Sequence, residues 1–117
     1  MVPIIDLLYA HVDNRETAQE ETLEALNDVV KAGKVRYIGC SNFKVWRTVR
    51  AREISRNRGW AEYKAVQMFN TYFQTEKNAA TNMSDQMSEE LFDYVRSGEK
   101  LTLLGYTPLL WGSYTRP

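Results

Sequence analysis

The chain is short of the side chains that most often carry covalent and metal chemistry: 117 residues include one cysteine, Cys40, and one histidine, His11. A lone cysteine excludes an internal disulfide and suits a reducing compartment, so a cytoplasmic location is expected. No metal site is expected. Net charge is also missing, because fifteen Lys and Arg balance fifteen Asp and Glu. No overall field therefore draws the chain to nucleic acid or to an anionic membrane. Long apolar runs are absent too. The stretch Ile4 to Ala10 is broken by Asp6 and has no basic segment before it, which argues against a signal peptide or a membrane span. This length suits one domain at most.

What is present is an ordinary globular composition, 44% hydrophobic and 26% charged. Its charge is unevenly placed. Residues 1–30 hold seven acids against Arg15, and residues 31–58 hold nine Lys and Arg against Glu53. The periodicity alternates between two kinds. "PIIDLLYAHV" is a short apolar run of the buried-strand type at about residues 4–11. In "ETAQEETLEALNDVVKAGK", Leu23, Leu26, Val29 and Val30 share a helical face. Acids crowd the start of that segment, and Lys31 with Gly33 closes it. "VRYIG" (35–39) is a second strand. A second helix begins after Asn42, turns Trp46, Val49 and Ile54 inward, and ends at Gly59. "YKAVQMF" (63–69) is a third strand. A third helix is expected from about Ser84 to Arg96, with Met87, Leu91 and Val95 inward, and "LTLLGY" (101–106) is a fourth strand.

Strands and helices alternating every thirty residues or so indicate βαβ units and a parallel sheet. Open doubly wound sheets and closed (β/α)₈ barrels share that signature. In both, working residues gather at the carboxyl ends of the strands. Those ends carry His11, then Ser41 and Asn42, then Gln67, then Tyr106 with Thr107. Convergence on one mouth is expected, but the spacing names no reaction.

The segments "IDLLYAHVDN", "KAGKVRYIGCSNF", "AVQ" and "LLGYTPLLWGSYTRP", in this order, resemble the aldo-keto reductase family over nearly the whole chain. "GKVRYIGCSNF" is the most specific of them. The resemblance implies a (β/α)₈ barrel of which this chain is a part, its fourth to seventh strands with three helices. It implies NADP(H)-dependent reduction of aldehyde or ketone carbonyls, with a small-molecule carbonyl substrate. His11 resembles the histidine that hydrogen-bonds the substrate carbonyl. Ser41, Asn42 and Gln67 resemble the residues that hold the nicotinamide carboxamide, a group with both a donor and an acceptor to satisfy. Tyr106 resembles the aromatic that stacks on the nicotinamide ring. Thr107, Leu109 and Ser113 fall in a loop similar to the one reaching the cofactor pyrophosphate; the family usually has serine at the position of Thr107.

Each residue also has a plainer reading. His11 alone would more often be structural, Asn42 is also placed to cap the helix after it, and Cys40 reads as a small core residue. Trp46 and Trp60 read as packing residues, while Trp111 is placed to line a substrate or cofactor cleft. The basic helix "KVWRTVRAREISRNR" is read as a solvated barrel helix with most of its arginines outward, and not as a nucleic-acid surface.

The family's tyrosine proton donor, with its lysine and aspartate, finds no match before His11, and the grip on the adenosine 2′-phosphate finds none after Ser113. Four strands of a barrel also leave two open edges. They expose an inner face expected to include Ile5, Leu7, Val35, Tyr37, Val66 and Leu103. The sequence is thus read as a truncated or split product, or as a chain that self-associates through its open edges. A catalytically inactive remnant and a regulatory subunit binding a membrane-protein partner stay open as alternatives.

Overall fold

β-Branched and aromatic residues interleaved with small ones build the strands, and the sheet they form decides between the two architectures. The computed structural model describes residues 2–73 and 85–115. In chain order the elements are β1 (Ile5–Ala10), α1 (Gln19–Lys31), β2 (Val35–Ser41), α2 (Val45–Arg58), β3 (Tyr63–Phe69), α3 (Glu89–Arg96) and β4 (Thr102–Tyr106), followed by a 3₁₀ segment at Leu110–Thr115. The strands are all parallel and stand in the order β1-β2-β3-β4. Leu23 of α1, Ala51 of α2 and Leu91 of α3 join one core cluster with Ile38, Cys40, Val66 and Met68 of the sheet. A doubly wound sheet reverses its strand order and is covered on both faces. Consecutive strands with every helix feeding one core make an arc of a (β/α)₈ barrel. No helix among the described residues is long and apolar enough to cross a membrane.

Helix ends follow the local chemistry. Gly33 (φ 69°) and Gly59 (φ 64°) occupy the left-handed region that stops α1 and α2. Ser88 caps α3, its side chain accepting from the Leu91 amide at 3.2 Å. That cap corrects the expected start of the third helix. Ser84 lies outside the described residues, and Met87 precedes the helix, its amide donating to the Phe69 carbonyl at 3.0 Å.

Two further expectations change, and that of mostly outward arginines on α2 holds. The most buried residues of α2 are Arg47, Thr48, Ala51, Arg52 and Ser55; Ile54 packs against the core as expected, but Trp46 is 53% exposed. Small residues at this spacing let the helix lie close on the sheet, with the Thr48 hydroxyl 3.7 Å from the Cys40 sulfur. Among the arginines, Arg50, Arg56 and Arg58 are exposed as expected, but Arg47 and Arg52 are buried.

The bare inner face is smaller than foreseen. Ile5 and Tyr37 are more than half exposed, yet Val35 and Val66 are buried in the helix-side core and Leu103 packs against it. Strand alternation explains Val66 and Leu103. They pair in register with each other, and Val66 pairs with Cys40, which faces α2. Val35 joins the same core where the chain leaves α1.

Candidate active site

The parallel register brings five of the eight singled-out residues to one place. His11 follows β1, Ser41 ends β2 with Asn42 just beyond it, Gln67 stands in β3 opposite Ser41, and Tyr106 ends β4. Together with Val12 they line a hollow of about 320 Å³. Val12 was not foreseen; an apolar residue beside a histidine gives no signal of its own in the sequence. Thr107, Leu109 and Ser113 lie in the loop beyond β4 and are not among the lining residues.

The Gln67 backbone carbonyl organises the floor. It accepts from the Ser41 hydroxyl at 2.9 Å and from the Asn42 amide at 3.2 Å. Asn42 leaves the sheet in the left-handed region (φ 60°), a conformation that asparagine tolerates better than most residues. Its side chain then ties three strand ends together. Asn42 Nδ2 donates to the His11 carbonyl and to Ser41 Oγ, each at 3.1 Å, while Asn42 Oδ1 accepts from the Tyr106 hydroxyl at 2.7 Å. The capping role read for Asn42 is therefore corrected. Lys44 is the N-cap of α2 and makes no side-chain cap bond. An N-cap residue is extended and turns its oxygen onto the helix amides. Asn42 is left-handed, and its oxygen is engaged by Tyr106.

Against these engaged groups, the Gln67 carboxamide and the His11 imidazole have no hydrogen-bond partner among the described residues. Both border the hollow. Behind the Tyr106 wall, Phe69 packs against the Tyr106 ring at 5.8 Å, and Trp111 stacks on Phe69 at 5.8 Å with 21° between planes. Trp111 thus backs the wall and is not among the residues lining the hollow. Burial pushes the Cys40 thiol up to about 12, so it stays neutral, as a core residue should.

Sequence reasoning also missed an ion pair beside the site. Asp13 and Arg47 are 34 residues apart and meet only because β1 and β2 are neighbours. No one-dimensional pattern signals that contact.

Polar side chains converging beyond the carboxyl ends of parallel strands are the arrangement in which βα-barrel enzymes carry their sites. The chain belongs to the aldo/keto reductase family, whose model matches residues 2–116. It is 32% identical over 114 residues to versiconal hemiacetal acetate reductase of Aspergillus parasiticus, covering 97% of this chain and 30% of that protein. It is 31% identical over 113 residues to human aflatoxin B1 aldehyde reductase member 2, covering 97% of this chain and 28% of that one. The solved structure of the thermostable aldo-keto reductase Tm1743, in complex with the inhibitor epalrestat, matches with a TM-score of 0.70 and 27% identity, over 93% of this chain and 35% of that one. The fold is accordingly a partial (β/α)₈ barrel, and the chain spans about a third of the length of the proteins it matches. The family consists of oxidoreductases and generally uses NADP(H).

Proposed function

We propose that this chain supplies the nicotinamide-facing and carbonyl-facing side of an NADP(H)-dependent reductase acting on a small aldehyde or ketone. The observation that carries the reading is the convergence of His11, Ser41, Asn42, Gln67 and Tyr106 on one hollow, with two of those side chains unengaged among the described residues. The hollow's volume falls at the low end of the range that small-molecule sites occupy.

The residues present fit the nicotinamide end of the cofactor. The Gln67 carboxamide, without a partner among the described residues, offers both donor and acceptor, which is what a second carboxamide needs. Ser41 Oγ keeps acceptor capacity while donating to Gln67, and Asn42 holds Ser41 and Tyr106 in register. The Tyr106 ring, steadied by Phe69 and by its bond to Asn42, forms a flat platform for stacking. Thr107, Leu109 and Ser113 continue from Tyr106 towards where the pyrophosphate would run. The bound cofactor supplies hydride from C4 of its reduced ring. His11 donates a ring N–H to the carbonyl oxygen, orienting the carbon for attack and stabilising the negative charge that develops on oxygen. The proton that completes the alcohol comes, in this reading, from residues outside this chain, as does the cover for the exposed Ile5 and Tyr37. The buried thiol of Cys40 supports a reducing, cytoplasmic setting.

NADPH fluorescence titration and carbonyl-dependent NADPH oxidation, on the protein at its natural length, test this. Gln67→Ala is expected to weaken NADPH binding, and His11→Ala to lower turnover while leaving that binding largely intact. Unchanged binding in Gln67→Ala, together with unchanged turnover in His11→Ala, would sink the reading.

A further inference from the structure

Two residues beyond His11, the Asp13 carboxylate receives both arms of the Arg47 guanidinium, Nε to Oδ2 at 2.8 Å and Nη2 to Oδ1 at 2.7 Å. The two side chains are 9% and 11% exposed. Gln19 Nε2 donates to the Arg47 carbonyl at 3.0 Å, and the guanidinium lies 5.5 Å from the Trp46 ring centroid. Both charges are thus largely taken out of water, and Arg47 is held at its backbone as well as at its guanidinium.

A buried ion pair is a poor way to gain stability, since apolar residues of similar volume often serve as well or better. A fork-to-carboxylate pair does impose one register on the segments it joins. The segments joined here are the stretch after β1 and the first turn of α2. The same two stretches meet in the hollow, where Asn42 Nδ2 donates to the His11 carbonyl. They are therefore tied twice, through residues 11 and 42 and through residues 13 and 47. A single neutral hydrogen bond leaves a segment free to pivot; a second, two-pronged tie a few residues away removes that freedom.

We propose that the Asp13–Arg47 pair is a positioning device that fixes the His11 imidazole relative to Ser41 and Asn42. Neither residue lines the hollow; both act through His11 and Asn42. The consequence for carbonyl reduction rests on the function proposed above. The placement of His11 does not, and it is measured without ligand.

The test uses the protein at its natural length, ¹⁵N-labelled in histidine, with the His11 ring signals assigned by their loss in His11→Gln. Asp13→Asn and Arg47→Lys each remove the two-pronged tie. Arg52→Lys damages a different buried ion pair, on the same helix but away from the site, and is the control. The His11 ring resonances are expected to shift or broaden in the first two variants and to stay put in the control, although all three variants melt at lower temperature. The kcat for carbonyl reduction should fall by about tenfold or more in the first two, with KM for NADPH changing less. If Asp13→Asn does not fold, Arg47→Lys carries the test alone. His11 signals that are unmoved in Arg47→Lys, or moved equally in Arg52→Lys, overturn the proposal. If the His11 signals respond as stated but the wild type neither binds nor oxidises NADPH, positioning stands and the proposed function falls.

Discussion

At its first turn α2 offers Arg47 to Asp13, next to a hollow bordered by polar groups unengaged among the described residues. Further along, the same helix offers Arg52 and Arg56 to Glu62, just before β3, and to Glu99, just before β4. Arg52 is 1% exposed; its Nη1 reaches Glu99 Oε2 at 2.7 Å and the Tyr94 hydroxyl at 3.0 Å, and its Nη2 reaches Glu62 at 3.3 Å. At the amino ends of the strands Arg52 and Arg56 pair with Glu62 and Glu99 and tie the loops together. At the carboxyl ends the bonds hold a frame around groups kept available. A barrel divides its labour in this way, with stability concerns at one mouth and chemistry at the other.

The division can be broken from either side. The largest effect is expected from Arg52→Ala, which leaves Glu62 and Glu99 short of a partner in a largely buried setting. Urea unfolding should register a loss of about 3 kcal/mol, since the bonds to charged partners are lost while Arg56 still pairs both acids, with the affinity for NADPH unchanged in the folded protein. Loss of affinity at full occupancy of the fold would mean that the two ends are not separable.

Gly39→Ala should cross the divide. A Cβ there would stand 2.7 Å from the Ala65 carbonyl oxygen and 2.8 Å from the Tyr9 ring, inside backbone contact distance. A cost of about 1–3 kcal/mol is expected. Because Gly39 lies two residues before Ser41, NADPH binding should weaken as well. Equal stability of wild type and variant in the same titration would refute the close approach.

Tyr106→Ala should do the reverse of Arg52→Ala. Losing the stacking platform is worth about 1 kcal/mol, roughly fivefold in NADPH affinity, and Tyr106→Phe should lose less because it keeps the ring. A fluorescence titration that ranks the two variants the other way would assign Tyr106 to its Asn42 bond and not to stacking.

The smallest effect is a pH dependence confined to the amino ends. Hydrogen bonds from Arg56, with the Arg52 charge behind them, hold the Glu99 carboxyl below its usual value near 4.5. A lowered folded-state value means that the stabilisation is fully present above about pH 4.5 and is lost as pH falls through the lowered value. The wild type should therefore lose melting temperature on acidification more steeply than Glu99→Gln. Parallel melting curves for the two proteins would remove Glu99 from the network's acid sensitivity.

Much of this was legible in the residues. The strand and helix order follows from alternation and from the glycine stops. His11, Ser41, Asn42, Gln67 and Tyr106 could be singled out because a parallel sheet must gather its carboxyl ends. The ion pairs were not legible. Asp13 with Arg47, and Arg52 with Glu99, are 34 and 47 residues apart, and arginines on a basic helix look the same whether they face water or a carboxylate. Trp46 misled for a related reason. Its size suggests burial, but α2 lies closest to the sheet through Thr48, Ala51 and Ser55, which leaves the indole outside beside Arg47.

The sequence alone determined the alternation of elements, the helix stops and the identity of the polar residues at the strand ends, because those depend on neighbours a few residues apart. Only the tertiary structure decided that the sheet runs in consecutive order, which face of α2 is buried, and that Asn42 spends its side chain on three strand ends instead of a helix. Each of those outcomes depends on which distant segments touch, and that is set by packing the whole arc at once.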